Sequence, residues 1–181
     1  MNLLSFFKIA LLSVFVLSLF GCATSAHHTN MTVNANELPV EAKKNTALTN
    51  NIAVEDVSGG KKTNPLWTSQ VDNSGFENAL KNSLSNTGYL NSDTTKARYY
   101  LAATLLDLKQ PFIGASLEVI CKANYSLYDT KIGKTVFEKT LRTSYVASFT
   151  SSLIGTTRLR LANEGAVKEN IKQFLVELDS L

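Results

Sequence analysis

The most regular pattern in the chain runs from Leu117 to Leu127. Leu117, Val119, Cys121, Ala123, Tyr125 and Leu127 alternate with Glu118, Lys122, Asn124 and Ser126. Alternation this long predicts a strand with one face on a core and the other in water. Asp129-Thr130-Lys131-Ile132-Gly133 then reads as a hairpin loop, with Gly133 placed where a positive φ is needed. Val136 to Phe149 returns as the partner strand, carrying Phe137, Leu141, Tyr145 and Ala147 on one side. Glu118, Lys122, Glu138, Lys139 and Arg142 supply cross-strand charge pairs, each worth only tenths of a kcal/mol in water. Upstream, Arg98 to Leu108 is dense in tyrosine, leucine and alanine. The Tyr99-Tyr100 pair and the stop at Gln110-Pro111 favour a strand covered on both faces over the competing helix. Asn51 to Glu55 alternates as a first strand, ended by the turn Ser58-Gly59-Gly60.

Two segments carry helical spacing instead. Phe76, Ala79, Leu80, Ser83 and Leu84 share one face, Ser74 and Glu77 form a capping pair, and Gly88 suits a left-handed terminator. A helix is predicted over about residues 75–87. After a Ser/Thr/Gly loop at Thr150–Thr157, a second stripe joins Val167, Ile171, Phe174, Leu178 and Leu181, widened by Leu175. Gly165 inside it costs about 1 kcal/mol against alanine and marks a bend or the close approach of another element. Strand, helix, three strands and helix predict an α+β fold: an antiparallel sheet of about four strands with two helices packed on one face, over residues 48–181.

The first 21 residues follow a different rule. Lys8 and the amino group precede an apolar run from Ile9 to Phe20, which stops at Gly21-Cys22 and turns polar. The competing reading, an uncleaved membrane anchor, is opposed by Lys8 and by the lack of a positive cluster after the run. Leu19-Phe20-Gly21-Cys22 resembles a bacterial lipobox. The resemblance implies removal of residues 1–21 and a diacylglyceryl group on the Cys22 sulfur, usually with a third acyl chain on its amine. Two or more chains hold a protein stably where one binds reversibly. Ala23 rather than aspartate after the cysteine implies, by the sorting pattern of enteric bacteria, the outer membrane. From Ala23 to Ala47 the chain is polar and without sustained period, and is expected to be a flexible tether, with a short strand around Met31-Thr32-Val33 as the alternative within it.

A net charge of +3 with scattered lysines gives no nucleic-acid signature. Cys22 and Cys121 are the only cysteines; with Cys22 alkylated no internal disulfide can form, and Cys121 is expected as a buried small hydrophobe. Both histidines, His27 and His28, lie in the tether, so a Ser-His-Asp or Cys-His site on the folded domain would need the tail to fold in. The sequence contains no Gly-rich phosphate loop and no Cys/His metal spacing. No catalytic residue, metal ligand or cofactor is therefore assigned. Candidate partner-binding residues are Trp67 in a Pro65-bearing loop, Phe112 and Ile113 at a turn tip, and Arg158 and Arg160, which suit an anionic group. Each has a plainer alternative: a lid over the core for Trp67, packing for the tip, solvation for the arginines.

The order of elements over residues 48–181 resembles small periplasmic lipoprotein domains among envelope-assembly and lipopolysaccharide-transport accessory proteins. That resemblance implies a non-catalytic lipoprotein in the inner leaflet of the outer membrane, facing the periplasm and binding an envelope protein or glycolipid. A small-amphiphile carrier and an envelope lipid- or sugar-modifying enzyme, such as an acyltransferase, stay open as alternatives.

Overall fold

A computed structural model describes residues 22–39, 44–66, 68–111 and 113–181. The expected signal segment, Trp67 and Phe112 lie outside the described residues. Four strands, β1 (Ile52–Ser58), β2 (Tyr99–Lys109), β3 (Leu117–Asp129) and β4 (Lys134–Ala147), form one sheet in the order β1-β2-β3-β4. β2, β3 and β4 are an antiparallel meander, while β1 and β2 run parallel. The parallel pair follows from its connection: a helix between β1 and β2 returns the chain to the end where it started. The fold is α+β, with a four-stranded, mostly antiparallel sheet.

The alternation in β3 is realised as read: Leu117, Val119, Cys121, Ala123, Tyr125 and Leu127 are buried, with exposed or half-buried neighbours between them. β2 departs from expectation. Its inner residues Leu101, Ala103 and Leu105 are buried, but Ala102 and Thr104 on the other face are only half-buried, because no helix covers that side. β1 runs to Ser58, three residues past the expected end, carried by pairing with Ala103 and Thr104.

Helix α2 spans Asn73–Asn86, after a short α1 at His28–Met31, and α3 spans Gly155–Asp179. Asp72, not Ser74, caps α2, its Oδ1 accepting from the Gly75 amide at 2.7 Å; Glu77 pairs instead with Lys81 one turn on. The carboxylate two positions earlier takes the cap because it accepts more strongly than a hydroxyl. Gly88 ends the helix region at φ 76°, as its spacing predicted. Phe76, Leu80 and Leu84 of α2 and Val167, Ile171, Phe174, Leu175 and Leu178 of α3 enter one core, whereas Leu181 lies beyond the helix and is exposed. Tyr125 and Phe174 stack at its centre with ring centroids 4.2 Å apart and planes 6° from parallel, and Phe76 meets Tyr125 edge-on. One polar link crosses this core: the Tyr125 hydroxyl donates to Asn170 Oδ1 at 2.9 Å, and Asn170 Nδ2 donates to the Leu141 carbonyl and to Thr143 Oγ1. It joins α3 to both β3 and β4 and leaves the buried amide satisfied.

Gly165 is a site of close approach. A Cβ there would stand 2.4 Å from the Tyr145 ring, so α3 can lie on β4 only with glycine at this position.

The expected tether is corrected in its first half. Met31 and Val33 are fully buried in the core, and the Val33 amide donates to Ser83 Oγ inside α2. Glu37 bonds Lys168 of α3 at 2.6 Å, and that bond above all holds the Glu37 carboxyl below its ordinary range. Residues 22–38 therefore belong to the folded body. Two apolar side chains in a polar stretch have no period to reveal them, yet each buried one contributes about 1.5–3 kcal/mol.

Candidate functional site

Cys22 is exposed, and the residue after it is already part of the fold. Ala23 is buried and its amide donates to the Pro65 carbonyl at 2.8 Å; the Ala26 amide donates to the Gln70 carbonyl at 3.0 Å. His27 and Asn30 then close on Glu164 of α3. The His27 amide donates to Oε1 at 2.8 Å and Asn30 Nδ2 to Oε2 at 2.9 Å, which satisfies a carboxylate almost withdrawn from water. The position where a lipid would be joined thus sits at the surface, fastened within one residue to the body.

Arg158 and Arg160 do different work from that expected of them. Arg158 is 7% exposed; it donates to the Ser152 carbonyl at 2.7 Å and the Gly114 carbonyl at 3.2 Å, with Phe149 stacked under its guanidinium at 5.2 Å. It clamps the β2–β3 loop to the segment before α3. Arg160 donates to His27 Nε2 at 2.7 Å and Thr24 Oγ1 at 3.3 Å, and lies 3.7 Å from Glu164. Since guanidinium has no acceptor, His27 Nε2 must accept, with the ring proton on Nδ1. Both cations are engaged with the protein's own oxygen and nitrogen atoms. Their partners lie far along the chain, which is why residue type alone suggested a ligand. Ile113 is 90% exposed on the tip that Arg158 secures, and it lines a cleft of about 360 Å3 with Pro111, Leu117 and Leu159.

The sheet face away from the helices is open. Thr104, Asn124 and Thr140 form its middle row, with Asn124 Nδ2 donating to Thr140 Oγ1 at 3.1 Å. Lys122 stands opposite Arg142 on β4 and opposite Asp107 on β2. The like pair adds nothing to the sheet by itself, and Asp107 on the other side of Lys122 offsets it.

A third region tests for chemistry. A cleft of about 440 Å3 between α3, the end of β4 and the N-terminal segment is lined by Glu37, Tyr145, Glu164, Lys168 and Glu169 among others. Glu37 is held below its ordinary range by its lysine, and both oxygens of Glu164 accept from amides of the N-terminal segment. Among the described residues no group of three or more His, Cys, Asp or Glu side chains is placed to hold a metal ion. Cys121 is buried, and burial pushes its thiol up to about 12, which makes it unreactive as a nucleophile. The volume between sheet and helices is filled by Phe76, Tyr125, Phe174, Leu101 and Leu127, all fully buried.

Comparison with solved structures places this fold beside two bacterial proteins. A candidate lipoprotein from Caulobacter crescentus CB15 superposes with a TM-score of 0.52 at 13% identity, covering 74% of this chain and 91% of that one. A Xanthomonas campestris protein assigned to DUF330 gives a TM-score of 0.52 at 14% identity, covering 76% of this chain and 90% of that one. At such identities the likeness concerns the fold alone. No protein-family model and no characterised protein matches the chain in sequence.

Proposed function

We propose that the chain is a non-catalytic lipoprotein of the bacterial outer membrane, held in the inner leaflet by a lipidated Cys22 and facing the periplasm. In this reading it binds an envelope protein or glycolipid during envelope assembly or maintenance, through the open face of the sheet. The observation that carries it is how closely the lipobox-like cysteine adjoins the folded body. The lipobox-like Leu19-Phe20-Gly21-Cys22 ends at Cys22, which is exposed, and the next residue, Ala23, is already buried and hydrogen-bonded to Pro65.

The open face supports the binding role. It spans four strands and carries the polar row Thr104, Asn124 and Thr140 with exposed Tyr128 and Val146, and its Lys122 and Arg142 stand side by side, which suits an anionic group on a partner. A carrier of small amphiphiles would need the interior space that the stacked aromatic rings occupy. An enzyme of envelope lipid or sugar would need a free carboxyl in a cleft, whereas Glu37 and Glu164 of the 440 Å3 cleft are held by Lys168, His27 and Asn30.

Cell fractionation with site-directed crosslinking tests both halves. The full chain should sediment with outer membranes, and Cys22→Ser should move it to the soluble fraction. A photo-crosslinker at Asn124 should capture a partner that the same probe at Lys172, on helix α3, does not. Retention of Cys22→Ser in the membrane, or identical adducts from both positions, would count against the reading.

A further inference from the structure

The loops at one end of the sheet share a composition that the rest of the surface lacks. Four segments meet there: residues 22–28 at the start of the body, 58–71 after β1, 109–116 between β2 and β3, and 147–155 before α3. They are tied into one surface. Ala23 is bonded to Pro65, Gln110 Nε2 to the Ser69 carbonyl at 2.9 Å, and Arg158 to both Gly114 and Ser152.

None of the four contains an aspartate or glutamate, while Lys61, Lys62 and Lys109 all fall within them. The neighbouring carboxylates lie outside: Asp72 is engaged as a helix cap, Glu164 is turned inward, and the exposed Asp56, Asp107 and Glu118 stand on the strands two residues from the loops. The three most exposed large apolar side chains among the described residues are Ile113 at 90%, Leu66 at 79% and Leu153 at 78%, and all three are on this surface, with Phe149 and Ile154 beside them. Exposed apolar groups occur at the opposite end too, but among charges: Ile132 follows Lys131, and nearby Asp93 and Asp129 pair with Lys96 and Arg98.

Cys22 belongs to the same end. One peptide unit, about 3.8 Å between α-carbons, separates it from the residue fastened to Pro65. A glyceride on Cys22 therefore has no spacer to lift the body off the bilayer, and whatever surrounds Pro65 must lie at the lipid interface. Apolar side chains rimmed by lysines, without carboxylates, suit that environment: the first enter the acyl boundary and the second face anionic headgroups.

We propose that this end is a membrane-seating surface, in which Leu66, Ile113 and Leu153 insert into an anionic phospholipid interface and orient the domain with its sheet upright. It rests on the reading of Cys22 as lipidated. The open sheet face then stands perpendicular to the bilayer, free along its length for a partner.

The test uses the full lipidated chain, extracted from membranes and reconstituted in vesicles of phosphatidylethanolamine and phosphatidylglycerol. Leu66→Cys, Ile113→Cys and Leu153→Cys on one end, and Thr130→Cys and Ile132→Cys on the other, are each labelled with an environment-sensitive dye. Cys121 is buried and does not compete. Dyes at 66, 113 and 153 should shift to the blue and be quenched by shallow spin-labelled lipids, and dyes at 130 and 132 should stay water-like. Water-like emission at every position, in a sample whose intact mass shows the glyceride, overturns the seating surface and leaves the lipoprotein reading standing. A sample lacking the glyceride removes the reading and the proposal with it. A blue shift at 153 in the Cys22→Ser protein without vesicles would mean contact between protein surfaces, and would also overturn the proposal.

Discussion

The two faces of the sheet are made from the same strands and do opposite things. On the inner face Leu101, Cys121, Ala123, Tyr125 and Leu141 meet Phe174, Ile171 and Leu80, and the one polar link among them, Tyr125 to Asn170, is satisfied at both ends. On the outer face Thr104, Asn124 and Thr140 form a hydrogen-bonded polar row beside Lys122 and Arg142, whose like charges oppose each other across the ladder. The contrast teaches where stability and binding are separable: residues of one parity fold the domain, and those of the other are free to change with little cost.

The largest effect should come from the centre of the covered face. Phe174→Ala removes the ring stacked on Tyr125 and should destabilise by about 3–5 kcal/mol, read from urea unfolding with an unchanged slope. Met31→Ala should cost about 2–5 kcal/mol, since this residue of the expected tether is fully buried. No change in the midpoint would return that segment to a free spacer. Tyr125→Phe keeps the ring and strands Asn170 Oδ1, at about 1–3 kcal/mol.

A smaller effect depends on pH. The Arg98 guanidinium, donating to both carboxylate oxygens, holds Asp129 below the usual carboxylate range. A depressed folded value contributes stability that is complete above the unfolded value of about 4 and lost as pH falls through the folded one. Asp129→Asn should therefore be less stable than the parent at pH 7, and the gap should close on acidification below about pH 4. The smallest effect belongs to the open face: Arg142→Thr should shift stability by no more than about 0.5 kcal/mol. A large loss there would mean that the face helps hold the fold.

How far the sequence led differs between these regions for physical reasons. Strand β3 was legible because alternation over its length has one interpretation, and Gly133 and Gly88 because a positive φ selects glycine. Gly165 announced that something approached, while the identity of Tyr145 depended on a register no local pattern sets. The Asp72 cap was missed because Ser74 and Glu77 match the usual pairing, and the lone Met31 and Val33 because burial without a period leaves no trace. The contacts of Arg158 and Arg160 were not legible for a related reason: their carbonyl and histidine partners are distant in sequence, so an engaged cation and an available one look alike. Trp67 and Phe112 lie outside the described residues, and their roles rest on the sequence alone.

The central claim is that Cys22 bears the lipid and joins the folded body without a spacer. Intact mass spectrometry of the mature chain, extracted from the membranes of cells producing it, tests this most directly. The account predicts a polypeptide starting at Cys22 and heavier than its sequence by a diacylglyceryl group, with or without a further acyl chain. A free thiol at Cys22, or a chain starting at any other residue, would contradict it.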